Sequence, residues 1–376
     1  MRTPPLPRVE SPLRDVRVAA RVGRALAVAI TICFATGLVS HLHQHPVGWL
    51  PLSPDPAWGY RLSQGLHVAT GLACVPMALV KLYAVYPRLL EWPPVRSLPH
   101  ALERLSVAAL VSATLFELTT GVLNTVQWYP WPFFFPAAHY AVAWVLVGAV
   151  LVHLAVKAPV ITAALRAPLD DPDAASDDAA AGLSRRGLLT ATAAAVGTVT
   201  VVTVGQTLPG LGRLALLAPR RPDVGPQHVP VNRTAAAAQV VEPATAADWA
   251  LEVRGPTPVR LTRDALLAMP QTQVELPIAC VEGWSASGRW GGVRLRDVLR
   301  LGGLDGAAVR VRSLEPRGLY TTSALTAEQA AHPSTLLALR LNGSPLAIDH
   351  GYPLRLIAPN RPGVLQTKWL AAIEPA

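Results

Sequence analysis

AAHYAVAWVLVGAVLVHLA, residues 137–155, contains no Asp, Glu, Lys or Arg. As an α-helix rising about 1.5 Å per residue, a stretch of this length covers the roughly 30 Å hydrocarbon core of a bilayer. Working outward, Ala25 to Leu42, Leu62 to Val80 and Leu105 to Val126 have the same character, and a fifth apolar stretch runs from Gly187 to about Leu208. Buried helices of a water-soluble core are excluded, because so many uninterrupted apolar spans leave too little polar surface to cover them. Composition agrees: 51% of the 376 residues are hydrophobic and 15% charged, where soluble domains carry about a quarter of their residues as charged groups. The expected organisation is a four-helix membrane bundle over 1–165, a linker over 166–186, a fifth membrane helix over 187–210, a second linker over 211–246 and a separate domain over 247–376.

Lys and Arg in short loops stay on the cytoplasmic side, and they orient this bundle. Arg2, Arg8, Arg14, Arg17, Arg21 and Arg24 precede the first span. Lys81, Arg88, Arg96 and Arg104 follow the second, and Lys157, Arg166, Arg185 and Arg186 follow the fourth. The alternate loops carry only Arg61 at a helix edge, or none, with Trp128, Tyr129, Trp131 and Phe133 to Phe135 as an interfacial aromatic belt. Five spans then deliver everything after about Pro209 to the outer face of a bacterial cell membrane. Much of the net charge of +9 is thereby a topology signal and gives no ground for a nucleic-acid partner. The Asp- and Ala-rich stretch Leu169 to Gly182 reads as a cytoplasmic linker. It leads into Ser184-Arg185-Arg186-Gly187-Leu188-Leu189, which resembles a twin-arginine export signal and implies the twin-arginine machinery as a partner. The other reading, two arginines anchoring an ordinary helix, stays open.

From Gln227 onward the pattern changes to turn residues and short alternating segments. Trp249 to Val253, Val274 to Cys280, Val309 to Ser313 and Leu337 to Leu341 read as strands, Asn342-Gly343 as a hairpin turn, and Thr262 to Met269 and Leu295 to Leu301 as short helices. An α+β, mostly β, domain is expected. Three cysteines, Cys33, Cys74 and Cys280, are too few for a disulfide framework. Cys280 ends an apolar strand beside a Gly-containing turn, a position suited to a metal ligand and equally to a small buried hydrophobe.

The ordered set Cys280-Val281-Glu282-Gly283-Trp284-Ser285, Trp290-Gly291-Gly292-Val293, His350-Gly351-Tyr352-Pro353-Leu354-Arg355 and Lys368-Trp369-Leu370 resembles the molybdopterin-binding domain of the sulfite oxidase family, over roughly Asp248 to Ala376. The resemblance implies a molybdenum–molybdopterin cofactor with Cys280 as metal ligand, a soft thiolate suited to a soft redox centre. It implies that Arg355 and Lys368 hold the pterin and its phosphate, that His350 lies in the pocket, and that Asn232 and Arg233 touch the pterin from an upstream loop. Tyr320 supplies either an active-site hydroxyl or core packing. The residues after Cys280 depart from the Arg-containing segment of eukaryotic sulfite oxidases. They are closer to bacterial periplasmic members such as the catalytic subunit of methionine-sulfoxide reductase, so the small-molecule substrate stays open.

Ionisable groups inside a membrane are costly and mark functional sites. His67 and His139 lie near the outer ends of the second and fourth spans, at matching depth, as two axial ligands of one haem require. His153 follows His139 by 14 residues, close to the same helix face and about 21 Å deeper, a spacing similar to di-haem membrane cytochromes b. Lys81 stands where the matching ligand on the second span would be, and His100 is the alternative partner of His153. His41, His43 and His45 cluster at the outer boundary. Glu117 either carries quinol protons or pairs with a neighbour. The whole reads as a membrane-bound oxidoreductase carrying out oxygen-atom transfer at molybdenum and exchanging electrons with quinone through haem b. The competing reading keeps the haem carrier and makes the outer domain a non-catalytic binding module; protein with haem and without molybdenum would favour it. A permease is disfavoured by the small number of spans.

Overall fold

The computed structural model describes residues 11, 13–169, 183–204, 207, 211–218, 220–221 and 224–376. Arg2, Arg8, residues 170–182 of the first linker and the end of the fifth span at 208–210 lie outside the described residues. The chain divides into two compact units. One comprises residues up to Ala35 together with His67–Val202, and the other Thr36–Leu66 together with Thr203–Ala376.

Five helices, α1 Val16–Gln44, α2 Gly59–Leu89, α3 Leu98–Thr125, α4 Phe135–Arg166 and α5 Arg185–Val204, cover the apolar stretches, the third to within one residue and the fifth as far as Val204, and each is long and apolar enough to cross a membrane. In the first unit Val18, Val22, Leu26 and Ala29 of α1 pack against Cys74, Met77 and Ala78 of α2, with Leu188 and Leu189 of α5 alongside. Ala29, Cys74 and Ala78 are the small residues in this seam, the kind that lets helices approach closely where lipid removes any hydrophobic drive for association. Leu151, Val145 and Leu105 remain more than half exposed, the expected condition of a lipid-facing stripe. Arg21 donates to the carbonyl oxygens of Ala164 and Ala167, which satisfies carbonyls at the end of α4. Arg185 of the arginine pair meets Asp15 at 3.2 Å, so that residue has a partner within the folded chain.

The second unit holds two sheets. β1 Ala250–Val253, β2 Val259–Thr262, β5 Val309–Ser313, β6 Thr322–Leu325 and β10 Leu370–Pro375 form one, in the order β2-β1-β10-β5-β6, with β1 and β10 parallel. β3 Thr272–Ala279, β4 Ser285–Arg294, β7 Leu336–Leu341 and β8 Ser344–Pro345 form the other, with β9 Arg355–Ile357 pairing β7. Short helices α6 Val241–Thr245, α7 Arg263–Ala268, α8 Leu295–Leu301 and α9 Ala327–Ala331 connect them. Fully buried Leu251, Val293, Leu295, Val309, Leu337 and Leu356 build the main core; burial alternates along β1 and β5, as one buried face demands, while β7 and β9 are buried almost throughout. Asn342 and Gly343 both take positive φ, 49° and 88°, and turn β7 into β8 as a two-residue hairpin. Within the stretch 211–246, Val229 packs on the Cys280 cluster, and Ala235, Ala238, Val240 and Ala244 pack around Trp369.

Candidate active site

β3 ends one residue before Cys280, and two backbone bonds close the turn that follows. Cys280 N–H donates to the Trp284 carbonyl at 2.8 Å and Gly283 N–H to the Cys280 carbonyl at 3.1 Å. Gly283 has φ 92°, a left-handed conformation that glycine adopts at least cost. This fixes Cys280, 1% exposed, in the wall of a cleft with about 710 Å³ of empty space. Asn232, Arg233, Tyr320, His350, Arg355 and Lys368 line the same cleft. Every site residue that sequence assigned to the outer domain is therefore brought together there, from segments as far apart as 232 and 368.

Asn232 Nδ2 donates to Cys280 Sγ at 2.8 Å, and its Oδ1 accepts from Trp284 Nε1 at 2.8 Å. The tryptophan thus orients the amide that faces the sulfur. Burial, together with the Glu282 carboxylate, pushes the Cys280 thiol up. A neutral thiol is what such a wall favours until a cation of high charge displaces its proton.

The basic groups are assembled by one strained corner. Gly351 has φ 110°, and a Cβ there would come within 3.2 Å of Arg355 Cβ and of Lys368 Cα and Cβ, so the absence of a side chain lets these two segments close on each other. Arg355 NH1 donates to the His350 carbonyl at 3.1 Å, and its guanidinium lies 5.2 Å from the Trp290 ring centre. Burial lowers Arg355 to about 9. Its Nε is buried and has no hydrogen-bond partner among the described residues. Native proteins rarely tolerate such a donor, and here it lies on a residue that lines the cleft. Lys368 Nζ donates to the Arg233 carbonyl at 2.5 Å and the Asp349 carbonyl at 3.0 Å, 4.2 Å from the Trp369 ring centre. Burial and then Arg355 push Lys368 down to about 7. His350 Nε2 donates to the Pro226 carbonyl at 2.6 Å. Burial and Arg355 hold that ring near 4, so it is neutral and Nδ1 is its acceptor.

Sequence reasoning missed Glu315, Asp349, Gln366 and Thr367 in the wall. Glu315 pairs with Arg233 at 2.9 Å. Asp349 accepts from Ala235 N–H at 2.7 Å, and Gln366 and Thr367 complete the lining. Only Asp349, adjacent to His350, offered a positional signal. Tyr320 also lines the cleft, and burial with Cys280 raises its phenol.

Lys368 gives a pH test. The unfolded chain holds that proton up to about 10.5 and the folded chain only to about 7. Between those values the unfolded state binds more protons, so stability rises with pH. The thermal midpoint of the cofactor-free full-length chain is expected to climb from pH 7 toward pH 10 relative to Lys368→Met. Parallel curves for the two proteins would contradict the burial of a cation here.

In the first unit, the ring centres of His67 and His139 are 6.1 Å apart. His67 Nδ1 lies 2.9 Å from the Cys33 carbonyl, and His139 Nδ1 lies 3.0 Å from the Thr120 hydroxyl. Glu117 Oε2 stands 3.1 Å from His139 Nε2, so Glu117 has the neighbour that one reading of the sequence gave it. His153 Nδ1 is buried with no hydrogen-bond partner among the described residues. His100 sits in the first turn of α3, its N–H donating to the Ser97 hydroxyl. In the second unit, the His41 and His45 rings lie 4.6 Å apart, tilted by 39°.

A family model for the oxidoreductase molybdopterin binding domain matches residues 237–376. YedZ1 of Azospira oryzae, whose name assigns it to a protein-methionine-sulfoxide reductase, is 36% identical over 130 residues, 34% of this chain and 49% of that protein. Mitochondrial sulfite oxidase of Drosophila melanogaster is 31% identical over 153 residues, 34% of this chain and 27% of that enzyme. The oxidoreductase YuiH of Bacillus subtilis is 33% identical over 129 residues, 34% of this chain and 64% of that protein. The chain spans about half of the first relative's length and between a quarter and two-thirds of the other two. Residues 237–376 are accordingly an oxidoreductase molybdopterin-binding domain similar to that of sulfite oxidase, carried in one chain with five helices long and apolar enough to cross a membrane.

Proposed function

We propose that this chain is a membrane-bound molybdenum-cofactor oxidoreductase that transfers an oxygen atom to or from a small molecule on the extracytoplasmic side and exchanges electrons with quinone through haem b. The observation that carries the reading is the convergence of Asn232, Arg233, Tyr320, His350, Arg355 and Lys368 on the cleft walled by Cys280. The donor set suits the pterin. One thiol offers a single soft ligand, and no three His, Cys, Asp or Glu side chains among the described residues form a metal site of their own. That arrangement suits a metal whose remaining donors arrive with its organic ligand. The unpaired Arg355 Nε and the cationic Lys368 are apt for pterin and phosphate oxygens.

When bound, the cofactor supplies two-electron oxygen-atom transfer chemistry. The protein's part is to hold and screen it. Cys280 would ligate the metal, with Asn232 supporting the sulfur. Arg355, Lys368 and Arg233 would hold the pterin, and neutral His350 and the Tyr320 hydroxyl would face the reacting molecule. His67 and His139 would hold haem b, with His153 the ligand of a second haem. The arginine pair at 185–186 would address the chain to the twin-arginine machinery.

Detergent-purified full-length protein tests this reading by metal analysis, pterin fluorescence and an optical spectrum. About one molybdenum per chain and a b-type spectrum reoxidised by a sulfoxide, or reduced by sulfite, are expected. Haem without molybdenum would reduce the outer domain to a binding module.

A further inference from the structure

The end of α1 and the start of α2 belong to the same compact unit as the molybdopterin-binding domain. Tyr60 is 1% exposed. Its N–H donates to Asn360 Oδ1 at 2.6 Å, while Asn360 Nδ2 donates to the Ser53 carbonyl at 2.7 Å. The Tyr60 hydroxyl lies 3.0 Å from Ser40 Oγ and 3.4 Å from Gln64 Oε1. Gln64, 4% exposed, donates from Nε2 to the Val281 carbonyl at 3.1 Å. That carbonyl belongs to the residue immediately after Cys280. A buried amide in a helix aimed at a turn carbonyl is an exceptional use of a polar side chain, since leaving either group unpaired there is costly. Gln64 also precedes His67 by three residues in α2.

We propose that Gln64 is a positioning residue for the molybdenum ligand. From α2 it holds the Cys280–Trp284 turn in place and so fixes the presentation of Cys280 Sγ. Ser40 and Tyr60 back it from the far side. The proposal rests on the assignment of Cys280 as the metal ligand. Through this bond to Val281, α2 becomes part of the metal site's supporting shell. Such supporting partners orient ligands and tune the metal they hold.

The test compares wild type with Gln64→Met, which keeps the length and removes the donor, and Gln64→Leu as a second shape, in the full-length detergent-purified chain. Two readouts apply: the Mo(V) electron paramagnetic resonance spectrum at matched molybdenum content, and the alkylation rate of Cys280 in chain produced without molybdate, followed by peptide mass spectrometry. Shifted Mo(V) g-values are expected in whichever variant folds, as judged by its haem spectrum, with Cys280 alkylated roughly five- to tenfold faster, the scale of one lost buried hydrogen bond. Tyr60→Phe keeps the amide donor and loses only the hydroxyl behind it, so it is expected to shift both readouts in the same direction as Gln64→Met and by less. Wild-type spectra and wild-type alkylation rates in Gln64→Met would overturn the proposal. Absence of molybdenum from the wild-type protein would instead sink the cofactor assignment, while the alkylation comparison would still decide whether Gln64 holds the turn.

Discussion

Cys280→Ser protein is expected to fold, to keep its b-type spectrum and to lose molybdenum-dependent turnover by at least a hundredfold, about the upper end of what removing even a supporting partner of a metal ligand costs. The geometry makes this a clean comparison. The turn is held by Cys280 N–H on the Trp284 carbonyl and by Gly283 N–H on the Cys280 carbonyl, and neither bond involves the sulfur. Asn232 Nδ2 donates to the side-chain atom and can donate to a hydroxyl as well. What changes is the donor's softness and its willingness to lose a proton. The thiol is already pushed up by burial and Glu282, so deprotonation must come from the metal, and a serine hydroxyl asks far more of it. Because ligation releases a proton, loading of the wild-type chain should strengthen as pH rises. Turnover and metal content within twofold of wild type in Cys280→Ser would remove Cys280 from the site.

The molybdopterin-binding domain was legible where residue chemistry is local and obscure where it depends on pairing. β3 and β7 are apolar runs with turn signals at their ends, and Asn342-Gly343 announces its hairpin. β4, Ser285–Arg294, could not be read that way. It contains Ser285, Ser287 and three glycines, yet most of it is buried because it lies between β3 and β7. Gly292 shows why the composition is needed, since a Cβ there would stand 2.0 Å from the Leu337 carbonyl oxygen. β10 and the parallel β1–β10 pairing were likewise invisible, for they join residues more than 100 positions apart. In the cleft, Cys280, His350, Arg355 and Lys368 stood out by motif. Glu315 did not, because its place is set by the Arg233 ion pair and by no pattern in its own segment. The placement of Ser40, Tyr60 and Gln64 in the second unit was hidden for a different reason. Hydropathy assigns whole apolar stretches to lipid and carries no information about which end turns its polar residues toward another domain.

Replacing His139 or His67 by Ala is expected to remove the b-type absorbance almost entirely, to below about a tenth of the wild-type haem content, because one axial imidazole alone leaves iron to water. The hydrogen bonds favour these two rings as ligands. A carbonyl oxygen can only accept, so His67 Nδ1 at 2.9 Å from the Cys33 carbonyl carries the proton. The Thr120 hydroxyl donates to the Phe116 carbonyl at 2.8 Å, so it accepts from His139 Nδ1. His67 Nε2 is then unprotonated, the atom a metal takes, and His139 Nε2 is unprotonated when Glu117 carries the proton and donates to it; each ring has its opposite nitrogen anchored, as metal-bound imidazoles usually are. Glu117 faces His139 Nε2 at 3.1 Å, and ligation there requires the carboxyl to let go. Its other oxygen, Oε1, is buried without a hydrogen-bond partner among the described residues, so Glu117 is poorly satisfied where it stands. Glu117→Gln should therefore retain haem at wild-type content, in contrast to both histidine variants. His153→Ala separates one haem from two, since it halves the haem per chain only if a second one is held deeper in α4. Full haem in His139→Ala together with loss in His153→Ala would move the ligand set to the other end of the helix.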